Sequence, residues 1–117
     1  MTYVDGFVLP VPKARYDEYK VLAGVAATVW MQHGALSYME AEPDDVQVGE
    51  LTSFPRAVQL KDDEIVIFSF VTYPSRAARD ATMQKVMADP RLKDAMAGMP
   101  FDGKRMIFGG FQSIVER

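Results

Sequence analysis

The chain has no cysteine and a single histidine, His33. Without thiols there is no disulfide, no thiolate nucleophile and no Cys-ligated metal, and one imidazole excludes a multi-histidine metal site. Stability has to come from packing. No apolar run is long enough to span a bilayer, and Met1-Thr2-Tyr3-Val4-Asp5 lacks basic residues and sets an acid where the apolar core of a secretory leader would lie. A cytoplasmic protein with no membrane partner is expected. Phosphate-loop, dinucleotide, zinc-protease and nucleophile-elbow patterns are also missing, so no cofactor and no metal are expected.

What is present fits one globular domain covering residues 1–117, with about half of the residues apolar and a quarter charged. The net charge of -3 is uneven, because Arg76 to Arg105 holds seven Lys or Arg against four Asp. That bias is spread over helical sequence and forms no concentrated basic face, so no nucleic-acid partner is expected.

Tyr3 to Val11 is β-branched and aromatic on both alternating sets, the pattern of a central strand. From Ala14 to His33, the spacing of Tyr16, Tyr19, Leu22, Ala23, Ala26, Val29 and Trp30 predicts an amphipathic helix stopped by Gly34, with Gly24 as a point of close helix-to-sheet contact. Ala35 to Ala41 reads as a second strand, and the acidic segment Glu42 to Thr52 as a long loop. Phe54 to Leu60 reads as a short strand. Ile65 to Tyr73 is the strongest strand, apolar on both faces. Ser75 is an N-cap for a helix to about Ala88, Asp89-Pro90 starts a short helix closed by Gly98, and Arg105 to Ile114 finishes the sheet. The adjacent Gly109 and Gly110 in that last strand call for close approach by another surface.

This order is the ferredoxin-like βαββαβ pattern, an α+β fold with an antiparallel sheet and two main helices on one face. The other face is apolar too, and the economical way to cover it is a second copy of the chain, giving a homodimer.

The segments Tyr3-Val4-Asp5-Gly6-Phe7-Val8, Gly34-Ala35-Leu36, Tyr73-Pro74-Ser75, Arg79-Asp80-Ala81, Asp89-Pro90-Arg91 and Met99 to Met106 together resemble the YbaA-like family of small bacterial proteins, whose function is unknown. The resemblance covers nearly the whole chain and implies a dimeric α/β barrel. Wider relatives of that architecture include cofactor-free monooxygenases, haem-degrading enzymes, isomerases and stress-response proteins, so it selects no single reaction.

His33 has two readings: a helix-end histidine facing the negative end of the dipole, or a catalytic base in a helix-to-sheet cleft beside Trp30 and Tyr38. Arg105 is the candidate anion partner, or else the ion-pair partner of Asp5 or Glu40. Asp5, an acid in an apolar strand, needs such a partner. Asp102 and Lys104, at the lip of the last strand, are either turn residues or ligand contacts. Met83, Met87, Met96, Met99 and Met106 are adaptable packing or pocket walls. The functional expectation is binding of a small aromatic or acidic metabolite in the helix-to-sheet cleft, with cofactor-free monooxygenase-like activity. The alternative is a non-enzymatic dimeric stress-related or interaction module.

Overall fold

The computed structural model describes all 117 residues. Strand β1 (Tyr3–Pro12) leads through a 3-10 turn (Lys13–Arg15) into helix α1 (Tyr16–His33), followed by β2 (Ser37–Ala41) and a one-turn helix α2 (Phe54–Ala57). Then come β3 (Glu64–Tyr73), α3 (Arg76–Ala88), α4 (Pro90–Met96) and β4 (Ile107–Gln112). The strands lie in the order β2-β3-β1-β4, all antiparallel, which is the ferredoxin-like arrangement. The sheet of one chain is open, with β2 and β4 as its edges, so the expected barrel is not formed within the chain.

Alternation along the two central strands sorts their side chains. The odd-numbered residues of β1 and β3 face the helices and build the core: Tyr3, Val71 and Tyr73 meet Ala26, Val29 and Trp30 of α1, Val86 of α3 and Leu92 of α4. Leu9, Val11 and Ile67 meet Tyr19 in a second cluster. The even-numbered set points the other way, where Val8 and Val66 are covered only by Val58 and Leu60. Phe54 of α2 packs edge-on against Phe68, and Met39, Phe68, Ile107 and Phe111 remain well exposed on that face. No helix is long and apolar enough to cross a membrane.

Prolines 10 and 12 are compatible with a central strand because β4 pairs with β1 only as far as Val8. Beyond that point β1 has one neighbour, and a missing N–H need not break a ladder. The turns use the capping residues read from the sequence. Gly34 ends α1 at φ 126, and its N–H donates to Trp30 O. A Cβ there would lie 2.8 Å from Thr82 Oγ1, so glycine is what lets α3 come in against the end of α1. Ser75 accepts from Ala78 N, and Asp89 from Arg91 N.

The structure departs from expectation at four places. Phe54 to Leu60 is not a strand: Ser53 caps the helix by accepting from Arg56 N, and Pro55 sits in its first turn, where a missing N–H costs nothing. The last strand is shorter than Arg105 to Ile114. Gly24 is exposed, with nothing within 4 Å of where its Cβ would be, so it marks no close contact. Arg105 does not reach Asp5. Register pairs Asp5 with Gly110 and Val8 with Ile107, which puts Arg105 some five residues, roughly 17 Å, along the sheet from Asp5.

Candidate functional site

Between the helix-facing side of the sheet and helices α1, α3 and α4 lies a cavity of about 390 Å³, within the roughly 300–1,000 Å³ range of small-molecule sites. Leu22, Ala23 and Ala26 of α1 form one wall, and Met83, Met87, Leu92 and Met96 of α3 and α4 form another. The two alanines leave the space that larger core residues would fill. Phe101 and Met106 also line the cavity.

The floor consists of side chains aligned across the strands by register. One row runs Glu40 (β2), Ser69 (β3), Phe7 (β1), Phe108 (β4), and the next runs Tyr38, Val71, Asp5, Gly110. Phe7 and Phe108 are stacked with ring centroids 6.4 Å apart, and Phe108 stands 70% exposed at the rim. Gly110 has to be glycine, because a Cβ there would lie 2.4 Å from the Tyr3 hydroxyl oxygen and 2.7 Å from its ring. This is the close approach expected at the glycine pair. Gly109 meets only the Phe111 ring, at an ordinary 3.5 Å.

Polar groups enter the cavity at two points. At the first, Tyr19 Oη donates to Glu40 Oε1 and Tyr38 Oη donates to Glu40 Oε2, the latter at 2.6 Å. Burial, reinforced by the adjacent Glu40 charge, pushes both phenols well above the ordinary tyrosine range, so both remain protonated donors. The Trp30 ring lies 5.8 Å from Tyr38, and its Nε1–H donates to Tyr73 Oη at 3.0 Å, which fixes the indole plane. At the second point, Asp5 is 5% exposed and accepts from Arg79 Nη1 at 2.8 Å. Arg79 also donates to Tyr3 Oη and lies over the Tyr3 ring. Burial alone would lower the guanidinium pKa. The Asp5 charge and the Asp80 hydrogen bond outweigh it, and the net shift is upward.

Three of the residues singled out from the sequence, Trp30, Tyr38 and Asp5, line this cavity. The other four lie elsewhere. His33 Nε2 is 2.8 Å from Asp89 Oδ2, joining the end of α1 to the cap of α4. Asp89 also takes two side-chain bonds from Arg91, and these, with the His33 contact, hold its carboxyl well below the usual carboxylate range. Arg105 grips the 5%-exposed Glu64 side chain with both Nη atoms, Asp102 through Nε, and the Gln59 carbonyl. Its planar fork is occupied by the chain's own acceptors, and the Glu64 bond drives its pKa upward. Asp102 accepts from Lys104 N at 3.0 Å, which makes the pair a turn, with the Lys104 side chain in solvent.

Arg79 and Ser69 carry no site signal in the sequence, and Glu40, expected as a possible partner of Arg105, accepts instead from Tyr19 and Tyr38. Glu40 shares the helix-facing set of β2 with Tyr38, and Ser69 is the one hydroxyl other than tyrosine's in the corresponding set of β3. Their convergence depends on register, which single-strand patterns do not reveal. No group of three or more His, Asp or Glu side chains is placed to hold a metal ion.

Residues 2–103 match a family described as "Protein of unknown function (DUF1428)". The Escherichia coli protein described as "Uncharacterized protein YbaA" is 48% identical over 116 residues, 99% of each chain. Among solved structures, SnoaB, a cofactor-independent oxygenase from Streptomyces nogalater, superposes with a TM-score of 0.59 at 14% identity, over 98% of this chain and 95% of its own. A dimeric ferredoxin-like protein from an uncultured marine organism superposes with a TM-score of 0.57 at 10% identity, over 100% of both chains. At those identities the structural likeness speaks to the fold.

Proposed function

Because the chain belongs to the DUF1428 family of proteins of unknown function, its activity has to be read from its site, and we propose that it binds a small, mainly aromatic metabolite in the helix-to-sheet cavity and works as a homodimer joined through the open sheet face. The observation that carries the ligand reading is the cavity itself: about 390 Å³, walled by aliphatic, Met and Phe side chains, with polar groups confined to the Glu40 and Asp5 ends. Apolar walls with a few convergent polar groups are the usual make-up of a small-molecule site. The dimer reading rests on Met39, Phe68, Ile107 and Phe111, which leave much of one sheet face apolar and exposed.

Cofactor-free oxygenation belongs to the same reading, by analogy with the activity described for SnoaB. In such a reaction the bound substrate itself supplies the electrons, and the protein's part is to hold it away from water beside a proton acceptor. Glu40 and Asp5 are the acceptors that line the cavity.

Thermal-shift measurements with naphthalene-sized aromatics, on the wild type and on Ala23→Phe, test the ligand reading. Stabilisation of the wild type that disappears when the phenyl group fills the cavity is the expected result. No stabilisation by any such compound, or equal stabilisation of both proteins, would overturn it. Oxygen uptake with the compounds that bind tests the catalytic extension.

A further inference from the structure

The Glu40 end of the cavity has a built polarity. Both carboxylate oxygens of Glu40 already accept hydrogen bonds, from Tyr19 and Tyr38. A carboxylate presents only acceptor sites, up to two lone pairs on each oxygen, so a further partner at this point has to be a donor. Ser69 is opposite Glu40 in the β2–β3 ladder, buried on the same floor and lining the same cavity. Continuing across the sheet, the row reaches Phe7 and then Phe108, whose stacked rings make an aromatic shelf.

With strands roughly 4.8 Å apart, the backbone of Glu40 is separated from that of Phe7 by two spacings, roughly 10 Å. A molecule lying along this row therefore meets an anionic acceptor, then a hydroxyl, then aromatic surface, over the length of about two fused rings.

From this row we infer that Glu40 is the specificity-determining residue of the cavity and that it selects uncharged planar aromatics bearing a hydroxyl group. The ligand hydroxyl donates to Glu40, with Ser69 alongside, and its rings extend over Phe7 toward Phe108. The same arrangement rejects carboxylates of identical shape. Such a ligand would bring a second negative charge against Glu40 in surroundings of low dielectric, and the one guanidinium lining the cavity, Arg79, is committed to Asp5. The aromatic half of the expected ligand class is retained and the acidic half is not. This inference rests on the reading of the cavity as a ligand site.

Calorimetric titration with three probes of one shape tests it: 2-naphthol, its methyl ether, and 2-naphthoate. On the wild type, the naphthol is expected to bind at least tenfold more tightly than the ether, with the naphthoate weakest. Glu40→Gln is expected to cut naphthol affinity about tenfold and to leave the ether within twofold. Phe108→Ala, at an exposed rim position, should weaken naphthol and ether by the same factor. Equal binding of naphthol and ether to the wild type, or preference for the naphthoate, would overturn the role of Glu40 while leaving the cavity as a binding site. Failure of all three probes to bind would remove the ligand reading, and this inference with it. The wild-type comparison decides the matter even if Glu40→Gln folds poorly.

Discussion

Asp5 Oδ1 and Arg79 Nη1 are 2.8 Å apart, joining the central strand β1 to the first turn of α3, with the Arg79 guanidinium over the Tyr3 ring. The pair fixes the height of α3 over the sheet. It also neutralises the one acid buried in an otherwise apolar strand, and so sets one wall of the cavity.

Removing Arg79 leaves that acid unpaired. Breaking a buried pair from one side typically costs roughly 3–5 kcal/mol. Arg79 keeps about a fifth of its side chain in water, so Arg79→Ala is expected to destabilise by about 3 kcal/mol, the low end of that range. Urea denaturation measures it. The double variant Asp5→Val/Arg79→Met should recover most of the loss, whereas a loss equal to the sum of the single effects would show that the two residues are not coupled.

The glycine pair of β4 is asymmetric. Gly110→Ala pushes the Tyr3 ring off its seat, an overpacking change expected to cost about 1–3 kcal/mol. Gly109→Ala meets only the Phe111 ring at ordinary contact distance and is expected to stay within about 0.5 kcal/mol of wild type. Paired thermal melts of the two variants distinguish the positions.

Asp89 provides a pH-dependent tie between α1, α3 and α4. Its folded-state pKa is depressed, first by the Arg91 hydrogen bond and then by that of His33. A depressed carboxyl contributes stability above its unfolded value of about 3.9 and loses it as the pH falls toward the folded value. The melting temperature of the wild type should therefore exceed that of Asp89→Asn at pH 6, and the gap should narrow steadily below pH 4. A gap independent of pH would mean that the charge of Asp89 contributes nothing.

Phe68 is 43% exposed on the open sheet face and packs edge-on against Phe54, with ring centroids 5.7 Å apart. If two chains meet through this face, Phe68→Glu places a charge in the middle of the interface. Light scattering should show a dimer for the wild type and a monomer for the variant, with unchanged far-ultraviolet circular dichroism. A monomeric wild type at micromolar concentration would remove the dimer reading.

Much of this protein is decided locally. The two-residue alternation of β1 and β3, the helical spacing from Tyr16 to Trp30, the Ser75 and Asp89 caps and the Gly34 stop depend on a few neighbouring residues each, and so does the prospect of an apolar sheet face with nothing over it. Helical spacing places Trp30 on the face of α1 that meets the sheet, whereas alternation in β2 groups Tyr38 with Glu40 without deciding which face they take. Short-range signals mislead at Phe54 to Leu60, where the Ser53 cap and Pro55 turn an apolar run into a helical turn, and also at the ends of β4 and at Gly24. What tertiary structure decided is which distant groups share a point in space. Charge attraction does not select a partner until strand order and register set the distances. Arg105 is left beside Glu64, at the far end of the sheet from Asp5, and Arg79, four residues past the Ser75 cap, takes the acid instead. Glu40, Ser69 and Phe7 become one row only because β2, β3 and β1 pair at that register. No segment of the chain contains that row by itself.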